Sequence, residues 1–148
     1  MQEDILKKIQ LDIHPRQFGN LTLFEIKPEN LKMVLRVFSH EMHLPLKTVC
    51  AKNMKTSVGE YGIFYIFGVP KENYFLAPYI LVGKDFAFPS GVDVMHELSL
   101  YEREIHTFFG LQPVGHPDLR RILNPDEWTV FPLRKDFKSA EFVPKPVK

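Results

Sequence analysis

Hydrophobic residues recur at helical spacing in some stretches of this chain and alternate with polar residues in others. Residues 3–10 place Ile5, Leu6 and Ile9 on one side of a short helix. His14-Pro15 interrupts it, because the residue before a proline is pushed out of helical geometry. After the Gly19-Asn20 turn, residues 21–27 alternate and read as a strand. Pro28 sits where a helix can start, and Leu31, Val34, Leu35, Phe38 and Met42 then form one helical stripe that Pro45 ends. Residues 46–51, 62–69 and 74–82 are apolar and aromatic-rich. Turn residues separate them (Gly59, then Pro70 to Asn73), which predicts consecutive antiparallel strands. Pro78 inside the last of these predicts an edge strand or a bulge, since proline has no N–H for a ladder.

A further helix is expected from near Ser90, where Ser90 and Asp93 have capping-box spacing, to Gly110, a natural C-terminal stop. Leu98, Tyr101, Ile105 and Phe109 share one face of it; Glu102 falls on that face and Arg103 points away. Burying a lone carboxylate costs several kcal/mol unless it is paired or protonated. Glu102 is therefore expected to find a cation, either Arg120, Arg121 or Arg134 within the chain or one on a partner. Together these elements predict an α+β domain over residues 1–110. It is two-layered, with a four- to five-stranded, mostly antiparallel (mixed) sheet and helices on one face. Residues 111–148 hold six of the twelve prolines and little periodicity, so an extended tail running across another protein is expected there rather than regular structure on its own domain. From Arg134 onward that tail carries five basic and two acidic residues, which favours an acidic or polar groove.

Composition narrows the function classes. A 148-residue chain with 45% hydrophobic and 25% charged residues builds one globular domain. A net charge of +1 gives no global field to recruit nucleic acid or anionic lipid. The lone Cys50, in a predicted strand, reads as a buried, inert thiol and fits a reducing compartment. No apolar run approaches the roughly 20 residues that span a bilayer, and the charged start (Met-Gln-Glu-Asp) does not resemble a signal peptide. A cytoplasmic protein, held at a membrane only through a partner, is the expectation.

Candidate chemistry is sparse. His96, His106 and His116 recur every ten residues, which scatters them around a helix and a loop, and His96-Glu97 lacks the second histidine of a zincin helix. Ser57, Ser90 and Ser99 lie in no nucleophile elbow. Glu102 and His106 could pair across one helical turn, as a structural contact more readily than an acid–base dyad. The Gly115-His116-Pro117 turn followed by Arg120-Arg121 could bind an anion or meet a partner's carboxylates. The residues alone favour a cofactor-free, partner-binding domain over an enzyme.

Tyr101-Glu102-Arg103-Glu104, Phe109-Gly110, Gly115-His116-Pro117-Asp118-Leu119-Arg120-Arg121-Ile122-Leu123 and Pro132-Leu133-Arg134-Lys135-Asp136-Phe137 occur in this order. In these words, about a quarter of the chain, it closely resembles the 30-kDa subunit of respiratory complex I, known in bacteria as the C-type subunit of NADH–quinone oxidoreductase. It resembles equally the homologous small subunit of energy-converting, membrane-bound nickel–iron hydrogenases. The departures are Thr107, where the family commonly has Asp, and Val130-Phe131, where it commonly has Gly-His. The Glu-Ile-His wording and short length lean toward the hydrogenase branch.

The resemblance implies a peripheral-arm subunit with no catalytic residue and no redox centre of its own, the iron–sulfur clusters and nickel or flavin lying in partner subunits. It implies docking on the large catalytic subunit beside a neighbouring iron–sulfur subunit, on the cytoplasmic side of the membrane. Carried over by position, Tyr101, Glu102, Arg103 and Glu104 anchor the last helix. Gly115, His116, Pro117, Asp118, Arg120 and Arg121 form the docking turn, and Pro132, Leu133, Arg134, Lys135, Asp136 and Phe137 continue along the partner. The alternative is a stand-alone anion-binding or regulatory protein-interaction domain on the same fold.

Overall fold

The computed structural model describes residues 2–54, 60–125 and 127–138. Helix α1 (Gln2–Lys8) leads into strands β1 (Arg16–Phe18) and β2 (Leu21–Glu25). Pro28–Asn30 form a 3-10 turn that starts α2 (Leu31–Arg36), and Val37–Glu41 continue it as a π-helical turn. That widening closes with the Met42 N–H donating to the Val37 carbonyl at 3.0 Å, five residues back. The predicted stripe is real: Leu31, Val34, Leu35 and Phe38 are fully buried. Phe38 meets Phe24 and Phe67 edge-on, with ring centroids 6.3 and 5.2 Å away, joining helix to sheet at the centre of the core.

Strands β3 (Leu46–Asn53), β4 (Tyr61–Val69) and β5 (Tyr74–Val82) pair antiparallel in sequence, as the turn residues between them predict. β2 then joins β5 in parallel, giving a five-stranded mixed sheet in the order β1-β2-β5-β4-β3. This is the expected two-layer α+β architecture. One correction concerns Pro78, which lies in the central strand rather than at an edge. The β4–β5 register runs from Tyr61↔Val82 to Phe64↔Tyr79 and resumes at Phe67↔Leu76, skipping the positions opposite Ala77 and Pro78. The proline's missing N–H falls in that break in the ladder.

Alternation sends Tyr61, Ile63, Tyr65 and Phe67 of β4 to the inner, helix-covered face. The outer face is apolar as well. Phe64 stacks on Tyr79 with centroids 5.0 Å apart, and Ile66, Leu23 and Phe75 lie beside them, all only partly buried. Cys50 faces this side next to Phe64 and is exposed, which corrects the expectation of a buried thiol. The strand pattern explains it: Val49, Ala51 and Asn53 take the inward parity.

The chain then forms β6 (Ala87–Pro89), helix α3 (Leu98–Phe109) and β7 (Gln112–Val114), with β6 and β7 pairing in parallel. α3 starts eight residues after Ser90, since residues 92–97 make turns instead of the predicted first helical turns. Its end is as expected: Gly110 takes the left-handed conformation (φ 71°) and its N–H caps the His106 carbonyl at 2.9 Å.

Candidate docking interface

α3 presents Leu98, Glu102 and Ile105 to the core. Glu102 is fully buried, yet its partners are neutral donors and not the predicted arginines. The Ser90 hydroxyl donates to Oε2 at 2.6 Å and the Gly91 N–H donates to Oε1 at 2.7 Å. Burial pushes this carboxyl above its ordinary range, and the two hydrogen bonds partly restore it. Gly91 admits the approach: a Cβ there would lie 2.6 Å from Leu35 Cδ1 and 2.7 Å from Leu98 Cδ1. Ser90 therefore holds the carboxylate of the helix it was expected to cap. The ring of His106 also turns away from Glu102, its Nδ1–H donating to the Leu111 carbonyl at 2.9 Å.

The three arginines serve other contacts. Arg120 grips Asp118 in bidentate fashion at 2.8 and 2.7 Å, and this hydrogen bonding holds the Asp118 carboxyl at a pKa of about 2. Arg121 lies over the Phe131 ring at 5.0 Å. Arg134 sits between Phe86 and Phe131, 4.5 and 4.4 Å from their centroids, and its Nε–H donates to the Phe109 carbonyl at the end of α3. The cation at a helix C-terminus complements the helix dipole.

Composition argued against residues beyond Gly110 packing on their own domain, but in the described residues they fold back along α3. His116 spans the first turn: its Nδ1 accepts the Asp118 N–H at 3.0 Å, leaving Nε2–H to donate to the Ser99 carbonyl at 3.3 Å. Arg103 Nε donates to the Arg120 carbonyl at 2.8 Å. Thr107 is buried and doubly used, its hydroxyl donating to the Arg103 carbonyl at 2.7 Å and accepting the Ile122 N–H at 3.1 Å. The Leu133 N–H donates to the Phe108 carbonyl at 3.2 Å. Beyond the short β7, the proline-rich segment makes no further helix or strand among the described residues, but it forms a strap held by single bonds.

Of the predicted docking residues, Glu104, Gly115, Pro117, Arg120, Leu133, Lys135 and Asp136 are exposed. Tyr101, Arg103, His116, Asp118, Arg121, Pro132, Arg134 and Phe137 are half-buried, and Glu102 is inaccessible. Sequence reasoning singled out Leu133, 55% exposed, but missed three other exposed apolar side chains: Leu100 on α3 and Val114 and Leu123 on the strap are 63%, 62% and 80% exposed. Leu123 also has a positive φ of 67°, with the Asn124 N–H bonded to the Ile122 carbonyl at 2.8 Å around it. Such a γ-turn is rare and strained for a leucine. Among the described residues no three His, Cys, Asp or Glu side chains converge as a metal site, and no helix is long and apolar enough to cross a membrane.

Several known proteins are similar. The C-type subunit of NADH-quinone oxidoreductase from Chlorobium phaeobacteroides is 51% identical over 55 residues, covering 37% of this chain and 33% of that protein. The corresponding C-type subunit from Rhizobium meliloti is 29% identical over 130 residues, covering 86% of this chain and 64% of the relative. The chain thus spans less than two thirds of the length of these relatives. Its fold is shared with a chain of the membrane-bound sulfane sulfur reductase, an archaeal respiratory membrane complex. That match has a TM-score of 0.77 at 22% identity, over 93% of this chain and 86% of that one. The fold is shared also with a trypsin-resistant fragment of Nqo5 (TM-score 0.67, 18% identity, 80% and 98% covered). Residues 24–143 match the family described as "Respiratory-chain NADH dehydrogenase, 30 Kd subunit", and the chain belongs to that family.

Proposed function

We propose that this chain is a cofactor-free subunit of a complex I-like or energy-converting-hydrogenase-like membrane assembly. It docks on the large catalytic subunit, beside an iron–sulfur subunit, through α3 and residues 111–148. The clusters, and nickel or flavin, belong to those partners, and membrane attachment on the cytoplasmic side comes through the complex. The observation that carries the reading is the exposure of Leu100 on α3 and of Val114, Leu123 and Leu133 on a strap that hydrogen bonds to α3 already hold in place. A preformed apolar surface of this kind loses little conformational entropy on binding. Family membership and the fold shared with a chain of a respiratory membrane complex support it. The arginines weigh against an anion-binding role, because Arg120 already holds Asp118 while Arg121 and Arg134 cover aromatic rings.

The test is to tag the chain in its native membranes, solubilise gently and assay what co-purifies for nickel, flavin, iron–sulfur clusters, H₂ evolution and quinone reduction. Nickel with H₂ evolution identifies the hydrogenase type, and quinone reduction without nickel the complex I type. A Leu100→Asp/Leu123→Asn variant should remain folded and bring down at least tenfold less of the large subunit. A chain that purifies alone overturns the reading.

A further inference from the structure

The open face of the five-stranded sheet lies on the side opposite the helices, and docking through the strap does not use it. A sheet with one solvated face normally alternates apolar-in and polar-out. Here β4 and β5 are apolar on both sides: Phe64, Ile66, Phe75 and Tyr79 point outward, away from the buried row of Tyr61, Ile63, Tyr65 and Phe67. Exposed Phe18 of β1 extends the patch, opposite Leu21, which is itself opposite Phe75. Contiguous apolar area of this kind on a protein surface marks an interaction site.

Charge at the margin indicates what covers it. Gly68 leaves a gap in the outer face, and the Lys47 stem lies over it, so that a Cβ there would be 2.6 Å from Lys47 Cε. Lys47 and Lys71 flank a groove of about 340 Å³ that Phe75 and Tyr74 also line and that, among the described residues, no carboxylate lines. Lys52, exposed, follows along β3 on the same face, opposite Gly62. Toward the β1 side of this face, Glu25 accepts the Tyr79 hydroxyl at 3.3 Å. A bilayer would have to admit Glu25 along with the aromatic row. A protein surface with an apolar centre and carboxylates at its edge matches both features.

We propose that the outer sheet face, from Phe64 and Ile66 to Phe75 with Lys47, Lys52 and Lys71 at its margin, is a second protein interface that takes the apolar, acid-rimmed surface of another subunit. It is separate from the strap, because α3, along which the strap folds, packs against β3 and the core on the opposite side of the sheet.

Cys50 stands in the row beside Phe64 and is the single cysteine of the chain, so it reports on this face. Alkylation by iodoacetamide is compared between the isolated chain and the tagged chain within its gently solubilised native assembly. Protection of at least tenfold in the assembly is expected. A Lys47→Glu/Lys52→Glu/Lys71→Glu variant, folded by circular dichroism, should lose that protection, whereas the corresponding lysine-to-arginine variant keeps it. Equal alkylation in chain and assembly overturns the inference while leaving docking through the strap intact. Protection already present in an isolated dimer, measured by sedimentation, would instead assign the face to a second copy. Protection by vesicles of 30% phosphatidylglycerol in phosphatidylcholine would assign it to lipid; either result overturns the proposal. A chain that purifies alone overturns both this interface and the proposed function.

Discussion

The Ser90 hydroxyl donates to the buried Glu102 carboxylate at 2.6 Å, tying the loop before α3 to the middle of the helix. Burial is the largest influence on this carboxyl and raises it above the ordinary value of 4.5, so the folded state holds the proton more tightly than the unfolded chain. The sign follows by linkage. Below 4.5 both states are protonated and the stability contribution is complete. As pH rises through 4.5 the unfolded state ionises first, and stability falls until the folded carboxyl also ionises. Glu102→Gln removes this titration. Its amide oxygen can accept the Gly91 N–H while its NH₂ donates to Ser90. Thermal melts between pH 4 and pH 8 should show the wild-type protein losing stability on the alkaline side of 4.5, and the variant's curve should be flatter there. A wild-type curve that climbs through that window would contradict the assignment.

Ser90→Ala takes one donor from a carboxylate that bulk water does not reach. Loss of a hydrogen bond to a charged group costs about 1.5–3 kcal/mol. Gly91→Ala acts at the same place by crowding, since the new methyl would meet Leu35 and Leu98 at 2.6 and 2.7 Å. Overpacking of this kind costs about 1–3 kcal/mol. Urea melts of both variants should show lower midpoints at unchanged slope. A Gly91→Ala midpoint at the wild-type value would mean that the two leucines give way freely.

How far the fold is legible in sequence depends on the element. The α2 stripe and the strands on either side of Pro70 to Asn73 read correctly because period and turn chemistry agree there, while Gly59 lies outside the described residues. Pro78 misled because a local rule about missing donors ignores where a ladder is already broken. Ser90 misled because its spacing to Asp93 mimics a cap, while the buried carboxylate twelve residues on competes for the same hydroxyl. The strap was unreadable because it is held by isolated side-chain bonds from Thr107, His116 and Arg103 that carry no periodicity. The outer sheet face did leave a signal: residues 61–69 are apolar at both parities apart from glycine, the pattern of a strand covered on two sides.

Thr107 bridges helix to strap through its hydroxyl. Thr107→Val keeps the shape and deletes the acceptor for the Ile122 N–H. An amide that loses a partner in a half-buried site costs about 1–3 kcal/mol. Because the bond joins the strap to α3, the expected effect is local. Hydrogen exchange at the Ile122 amide should accelerate by tenfold or more, while amides of β4 exchange as before. Uniform acceleration across β4 would mean that the strap and sheet unfold as one unit.

Leu123 sets stability against docking. An L-residue held at positive φ carries a conformational cost of about 1–2 kcal/mol, and at 80% exposure Leu123 recovers almost none of it by burial. Asparagine is several-fold enriched at positive φ, so Leu123→Asn should leave the isolated chain as stable as wild type or up to about 1 kcal/mol more stable. The same variant removes the most exposed apolar side chain of the strap, and its incorporation into the native assembly should fall. Stability is read by denaturant melts of the isolated chain and incorporation by competition between tagged wild-type and variant chains. A gain in stability together with reduced incorporation is the outcome expected of a residue retained for binding. Reduced stability with normal incorporation would make Leu123 a structural residue and remove it from the docking surface.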